Sequence, residues 1–204
     1  MNPTNLKSLF FVLFSLIFSF SSFSQDSYFG IKGGYNNSTL HSSNDASLGI
    51  QSRSTYGLGV VFCSAPDEGK LGIGYSLELG YMRKGAKIDH DTLDYKFHYI
   101  NMPLLIDFYP IKQIKLSIGP EFSFLAGANN HSNDSTKTSI LNTYNKKMEV
   151  SGIASISGSV TFFMDLGMRY SYSFTKISKY DGILDRQDLY NSYVQVFILL
   201  KIAN

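Results

Sequence analysis

YINMPLLIDFYP, Tyr99 to Pro110, carries two side-chain sets that alternate residue by residue. Ile100, Met102, Leu104, Ile106 and Phe108 are wholly apolar. Tyr99, Asn101, Pro103, Leu105, Asp107 and Tyr109 are mixed and include a carboxylate. A period of two is the mark of a strand with two unlike faces. Pro103 stands in its middle, where an inner strand wants a ladder donor.

The same pattern recurs along the chain. Leu71–Met82 sets Leu71, Ile73, Tyr75, Leu77, Leu79 and Tyr81 against Gly72, Gly74, Ser76, Glu78, Gly80 and Met82. Ile114–Gly127 sets Ile114, Leu116, Ile118, Pro120, Phe122 and Phe124 against Lys115, Ser117, Gly119, Glu121 and Ser123. Thr161–Thr175 sets Phe162, Met164, Leu166, Met168, Tyr170 and Tyr172 against Asp165, Gly167, Arg169, Ser171 and Ser173. The last stretch alternates Val194, Val196, Ile198, Leu200 and Ile202 with Tyr193, Gln195, Phe197, Leu199 and Lys201. Weaker alternation marks Tyr28–Asn37, Arg53–Cys63 and Met148–Ser157, making eight strands in all.

Long polar connections run from Leu40 to Ser52, Lys84 to Leu93, Asn129 to Lys147 and Lys176 to Asn191. Short ones lie at Ser64–Gly69, Pro110–Lys112 and Gly158–Val160. An even strand number with alternating long and short connections points to an all-β fold. The expected form is an eight-stranded antiparallel up-and-down transmembrane β-barrel, with long loops outside and both termini in the periplasm.

The ends and the composition agree with export. Lys7 precedes an apolar run, Leu9 to Phe20, which the small residues Ser21, Ser22 and Ser24 follow. That order is a secretory signal peptide, expected over residues 1–24, with the barrel domain over 25–204. The run is too short for the ~20 residues of a spanning helix. The formal charge of +2 and the lack of a basic block give no reason to expect a nucleic-acid partner. Cys63 is the single cysteine, so no internal disulfide forms, and a free structural thiol is expected.

The apolar face can point in or out. A soluble barrel would expose the mixed face, but that face is rich in Gly and Ser, with only about one or two charges per strand. Small residues suit the crowded bore of eight strands. Tyr and Phe near the strand ends of the apolar face suit interfacial girdles. The apolar face is therefore expected to meet lipid.

GIKGGYN (Gly30–Asn36), LELGYMRKGAKI (Leu77–Ile88), YINMPLLIDFYP and LSIGPEFSFLAGA (Leu116–Ala128) together resemble the PorT-like family of outer-membrane barrel proteins of Bacteroidota. Tyr99, Pro103, Leu104 and Leu105 match that family's fourth strand, and Gly119-Pro120 its fifth. The resemblance covers nearly the whole mature chain. It implies an outer-membrane barrel. For some members it implies a part in type IX protein secretion and the gliding linked to it, with secretion-machinery proteins as partners beside outer-membrane lipid and lipopolysaccharide.

The inward set holds Lys32, Arg53, Lys115, Arg169 and Lys201 against Glu78, Asp107, Glu121, Glu149 and Asp165. Five cations face five anions in a bore that side chains fill, so ion pairing is expected. A three-residue turn at Pro110–Lys112 would oppose Asp107 to Lys115 and Asn101 to Glu121. A turn at Gly158–Val160 would oppose Glu149 to Arg169, and a turn at Ser64–Gly69 would set Arg53 diagonal to Glu78. The first of these registers also places Pro103 opposite Gly119 and Pro120 opposite Met102, a wall seam expected to carry a β-bulge.

Catalytic and cofactor sites find little support. The histidines His41, His90, His98 and His131 all fall at or beyond the outer rim. His98 shares the parity of lipid-facing Ile100, so a lipid A-modifying enzyme is the rival to a scaffold, and a narrow channel is a second rival. Asp89, His90, Asp91, Asp94 and His98 are metal-ligand types, but their spacing matches no metal loop. No phosphate loop, dinucleotide fingerprint or thiolate cluster appears, and no cofactor is expected.

Overall fold

Alternation builds strands. The computed structural model describes residues 26–42, 50–66, 72–88, 93–131, 137–139, 147–176 and 189–203. The expected signal segment lies outside them, as do His90 and most of the long connections. The strands are β1 (Asp26–Ser42), β2 (Ile50–Gln51), β3 (Arg53–Ala65), β4 (Gly72–Ile88) and β5 (Leu93–Ile111). They continue as β6 (Ile114–His131), β7 (Lys137–Ser139), β8 (Met148–Thr161), β9 (Met164–Ser173) and β10 (Leu189–Ala203). Eight of them pair antiparallel in the order β1-β3-β4-β5-β6-β8-β9-β10, and β10 returns to β1. The short β2 and β7 add only to the ends of β4 and β6 that lie away from the short turns. Among the described residues, closure leaves no open edge in the wall, as a bilayer core requires.

The faces fall as the alternation demands. Ile100, Ile106 and Phe108 are exposed, while Asn101, Leu105 and Asp107 are buried. Ile118 (66 % exposed) alternates in the same way with buried Ser117 and Glu121. Phe29 and Phe108 ring the short-turn end of the outer face, and Tyr35, Tyr56, Phe124 and Phe174 ring the opposite end. Leu116 to Phe124 spans eight residues, about 27 Å of strand and about 20 Å of membrane normal at a ~40° tilt.

Register differs from the expectation. Asp107 opposes Ser117, Ile106 opposes Ile118 and Pro103 opposes Glu121, two residues from the predicted pairing. The turn is the two-residue Lys112-Gln113, and an irregularity between Phe108 and Ile111 absorbs the difference. Parity is untouched, because a shift of two keeps each side chain on its face. Between β8 and β9 the turn is Phe162-Phe163, and Thr161 opposes Met164. Arg169 therefore opposes Ser155, and Glu149 does not face it. Gly158-Ser159 reads as turn chemistry, but in a membrane barrel the greasy Phe162-Phe163 can turn at the interface instead. Between β3 and β4, Glu78 opposes Val61, which leaves Arg53 eight residues, roughly 26 Å, further along its strand.

The prolines interrupt two ladders without bulging either. Pairing of β5 with β6 stops after Pro103–Glu121 and resumes at Ile106–Ile118 in the same register. Leu104 and Leu105 have no ladder partner across from Gly119 and Pro120. Pairing of β4 with β5 likewise skips from Leu77–Leu104 to Gly80–Asn101, the stretch that holds Pro103. The strands do not part there. A Cβ at Gly119 would lie 2.0 Å from the Leu104 carbonyl oxygen. That carbonyl, denied a donor by Pro120, occupies the space a side chain at residue 119 would need. The expected bulge, and the pairings Pro103–Gly119 and Pro120–Met102, are thus replaced by a tight, unbulged seam.

Candidate functional site in the bore and at the rim

Inward side chains meet in three levels. Nearest the short turns, Lys115 Nζ lies 3.7 Å from Asp107 Oδ2, so the two pair diagonally despite the shifted register. Ser76 Oγ also donates to Asp107, and Cys63 Sγ sits 3.5 Å from the same carboxylate. Cys63 is free and buried. Across the bore, Lys201 Nζ and Ser159 Oγ each approach Asp165 Oδ1 at 2.8 Å.

The middle level centres on Glu78. Arg169 grips it with both terminal nitrogens, Nη1 at 2.9 Å and Nη2 at 2.5 Å, and Lys32 Nζ pairs with the same carboxylate. These three residues come from β9, β1 and β4, so they meet across the lumen rather than along the wall. The Phe197 ring lies beside both cations, 5.2 Å from Lys32 Nζ and 5.6 Å from the Arg169 guanidinium.

The level furthest from the short turns inverts the charge pattern. Lys84 Nζ donates to Glu121 at 3.1 Å, to Glu149 at 2.8 Å and to Ser123 Oγ at 3.2 Å. The Tyr99 and Tyr193 rings lie 5.0 and 5.2 Å from that ammonium. Tyr193 Oη donates to Glu121 at 2.9 Å, Asn101 Nδ2 to Glu121 at 3.2 Å and Asn191 Nδ2 to Glu149 at 2.5 Å. One anion thus serves two cations at mid-height, and one cation serves two anions above it.

Among the described residues, five bore cations and five anions form these ion pairs. The fifth cation is Lys84 where Arg53 was expected. Arg53 sits at the end of β3 away from the short turns, opposite Ser38 and far from Glu78. Lys84 falls in the expected loop because RKG reads as a turn, yet β4 continues to Ile88. The signal was present: Ser76, Glu78 and Met82 are inward at even numbers, and Lys84 continues that series. A void of about 20 Å³ remains beside Lys32, Glu78, Asn101, Arg169 and Gln195, enough for about one water.

The rim holds the histidine singled out above. His98 opposes Arg83 across β4 and β5. Its Nδ1 meets Tyr81 Oη, and its Nε2 lies 3.4 Å from Asn129 Nδ2. Arg83 Nε donates to Tyr81 Oη at 3.2 Å, and its guanidinium stacks 4.6 Å from the Tyr56 ring centre. Neither His98 ring nitrogen meets a serine or a carboxylate in these contacts. Among the described residues, no group of three His, Cys, Asp or Glu side chains is placed to hold a metal.

A model of the outer membrane protein β-barrel domain family matches residues 23–179, and the chain belongs to that family. Neisserial surface protein A is similar in fold, with TM-score 0.55 and 14 % identity over 87 % of this chain and 99 % of that one. Ail, the attachment invasion locus protein of Yersinia pestis, gives TM-score 0.52 at 13 % identity, over 87 % of this chain and 99 % of its own. No curated protein sequence matches. The chain is an eight-stranded outer-membrane barrel of the same architecture as these two structures.

Proposed function

We propose that this barrel is a non-enzymatic structural or scaffolding component of the outer membrane, working through its outer surfaces rather than its bore. The observation that carries this reading is the three-level ion-paired filling of the lumen. Glu78, Glu121, Lys84 and Arg169 are each buried, and every one is matched by opposite charge. A passage for solutes would require those pairs to be broken and their ions hydrated. Among the described residues, the His98 ring nitrogens meet a tyrosine hydroxyl and an asparagine amide, neither of which is the carboxylate that orients a general base.

In this reading residues 1–24 are removed on export, the termini lie in the periplasm and the long connections face outward. The PorT-like motifs make type IX secretion and gliding the first processes to test, with secretion-machinery proteins as partners. Deleting the gene, then measuring secreted protein and taking lipid A mass spectra from the same cells, tests it. Lost secretion with an unchanged lipid A spectrum supports the scaffold. A changed spectrum with normal secretion refutes it in favour of a lipid-modifying enzyme.

A further inference from the structure

A row of three inward side chains crosses β9, β10 and β1: Arg169 opposes Gln195, and Gln195 opposes Asn36. Asn101 enters the lumen from β5, where Gly80 opposes it. All four residues are at most 5 % exposed. Arg169 Nε, Gln195 Oε1, Asn101 Oδ1 and both Asn36 amide atoms are buried without a hydrogen-bond partner among the described residues. Leaving so many such atoms unmatched would cost a sum comparable to the stability of a whole domain.

The void of about 20 Å³ lies among them. Arg169, Gln195 and Asn101 line it, together with Lys32, Glu78 and Gly57. Gly57 places Asn36 beside it, since a Cβ at residue 57 would stand 3.4 Å from both Asn36 Nδ2 and Gln195 Nε2. Asn101 cannot turn its amide round, because its nitrogen serves Glu121 at 3.2 Å. Its oxygen therefore stays an acceptor, while Arg169 Nε is only a donor. An anion in the void would face that oxygen and the Glu78 carboxylate, and a cation would face Lys32 and Arg169. A mixed set of donors and acceptors selects a small neutral molecule that both gives and takes hydrogen bonds.

We infer that this void is the binding site of one water molecule, held as a bridge between the Glu78 level and the Lys84 level. The water accepts from Arg169 Nε, donates to Gln195 Oε1 and Asn101 Oδ1, and keeps one lone pair for Asn36 Nδ2. Internal waters make roughly two to four such bonds. Asn101 carries the link on to Glu121. The level with two cations on one anion and the level with two anions on one cation thereby become one network. Gly57 serves the site by leaving room that a methyl group would take. The inference deepens the filled-bore reading and rests on it.

Water–protein NOE and ROE spectra of the isotope-labelled protein, folded in detergent micelles, test this. Cross-peaks from water to the Arg169 Nε proton and the Asn101 amide protons are expected, with NOE and ROE of opposite sign, the mark of a held water. Gly57→Ala fills the void, and Gln195→Met keeps the side-chain length and removes the acceptor. Each should abolish the Arg169 peak, while Val196→Ala, a lipid-facing change on β10, should leave it. Heat-modifiable gel mobility checks that each variant is folded. No peak in the wild type would mean a dry void and overturn the site. A peak that survives in both folded variants would arise by exchange through the Lys32 ammonium and overturn it equally. NOE and ROE of the same sign would mark bulk water passing through and overturn the held bridge. A shift of the Arg169 Nε resonance on replacing chloride by bromide would assign the void to an anion instead. Channel recording on the same protein separates the two readings: a closed bore with a dry void refutes only the water, and a conducting bore with a held water refutes only the plug.

Discussion

Glu78→Gln is the sharpest test of the filled bore. Glu78 is 6 % exposed, and its carboxylate serves two cations at once, Arg169 through two hydrogen bonds and Lys32 through a third. Glutamine keeps the shape and removes the charge. Its amide nitrogen is a donor aimed at donors, so at least one of the three bonds is lost outright. Breaking a buried pair by removing one partner costs about 3–5 kcal/mol, because the surviving ion stays desolvated. Here two cations survive, and the level goes from a net +1 to +2. The folded-to-unfolded ratio should therefore fall by about two to three and a half powers of ten. The chain contains no Trp, so urea unfolding is best followed by far-UV circular dichroism and by gel mobility. Adding Arg169→Gln restores the net +1 and should recover more than half of the loss. If Glu78→Gln costs less than about 1 kcal/mol, the ions are hydrated where they stand and the argument for a desolvated plug fails.

Gly119→Ala should destabilise the barrel by about 1–3 kcal/mol, since its methyl would meet the Leu104 carbonyl oxygen at 2.0 Å; an unchanged urea midpoint would show that the seam has room to yield. Cys63, with no exposed surface, should resist maleimide in the folded barrel and react once unfolded; rapid labelling in the native state would mean the short-turn end of the bore opens. In planar bilayers the wild-type protein should show no stable open level, and a large steady conductance would refute the plug.

Face assignment was legible because it depends on parity alone. Every residue of Tyr99–Pro110 carries its own evidence, and an error of two residues in pairing leaves that evidence intact. Register was not legible, because it depends on turns, and the turn signals misled. Gly158-Ser159 lies inside β8, and the true turn is the apolar pair Phe162-Phe163. The same weakness hid Lys84. RKG breaks the apolar rhythm of the lipid face, but the inward face has no apolar rhythm to break. Gly85 takes a φ of 140° inside β4, which runs on to Ile88.

The ion pairs teach a related point about which neighbours matter. Pairing expectations built on adjacent strands matched Glu149 with Arg169 and Arg53 with Glu78, and neither pair forms. In a barrel of eight strands the lumen is narrow enough for long side chains to reach right across it. Arg169 on β9 and Lys32 on β1 both reach Glu78 on β4, and Lys84 on β4 reaches Glu149 on β8. Height along the axis, not strand adjacency, selects the partner. Asp107 and Lys115 follow this rule too: they remain paired at 3.7 Å after a two-residue register change, because the change moved them little in height. A bore sorted by height needs only the right number of charges of each sign near each level. That is why exchanging Lys84 for Arg53 in the count left the expected five-to-five balance intact.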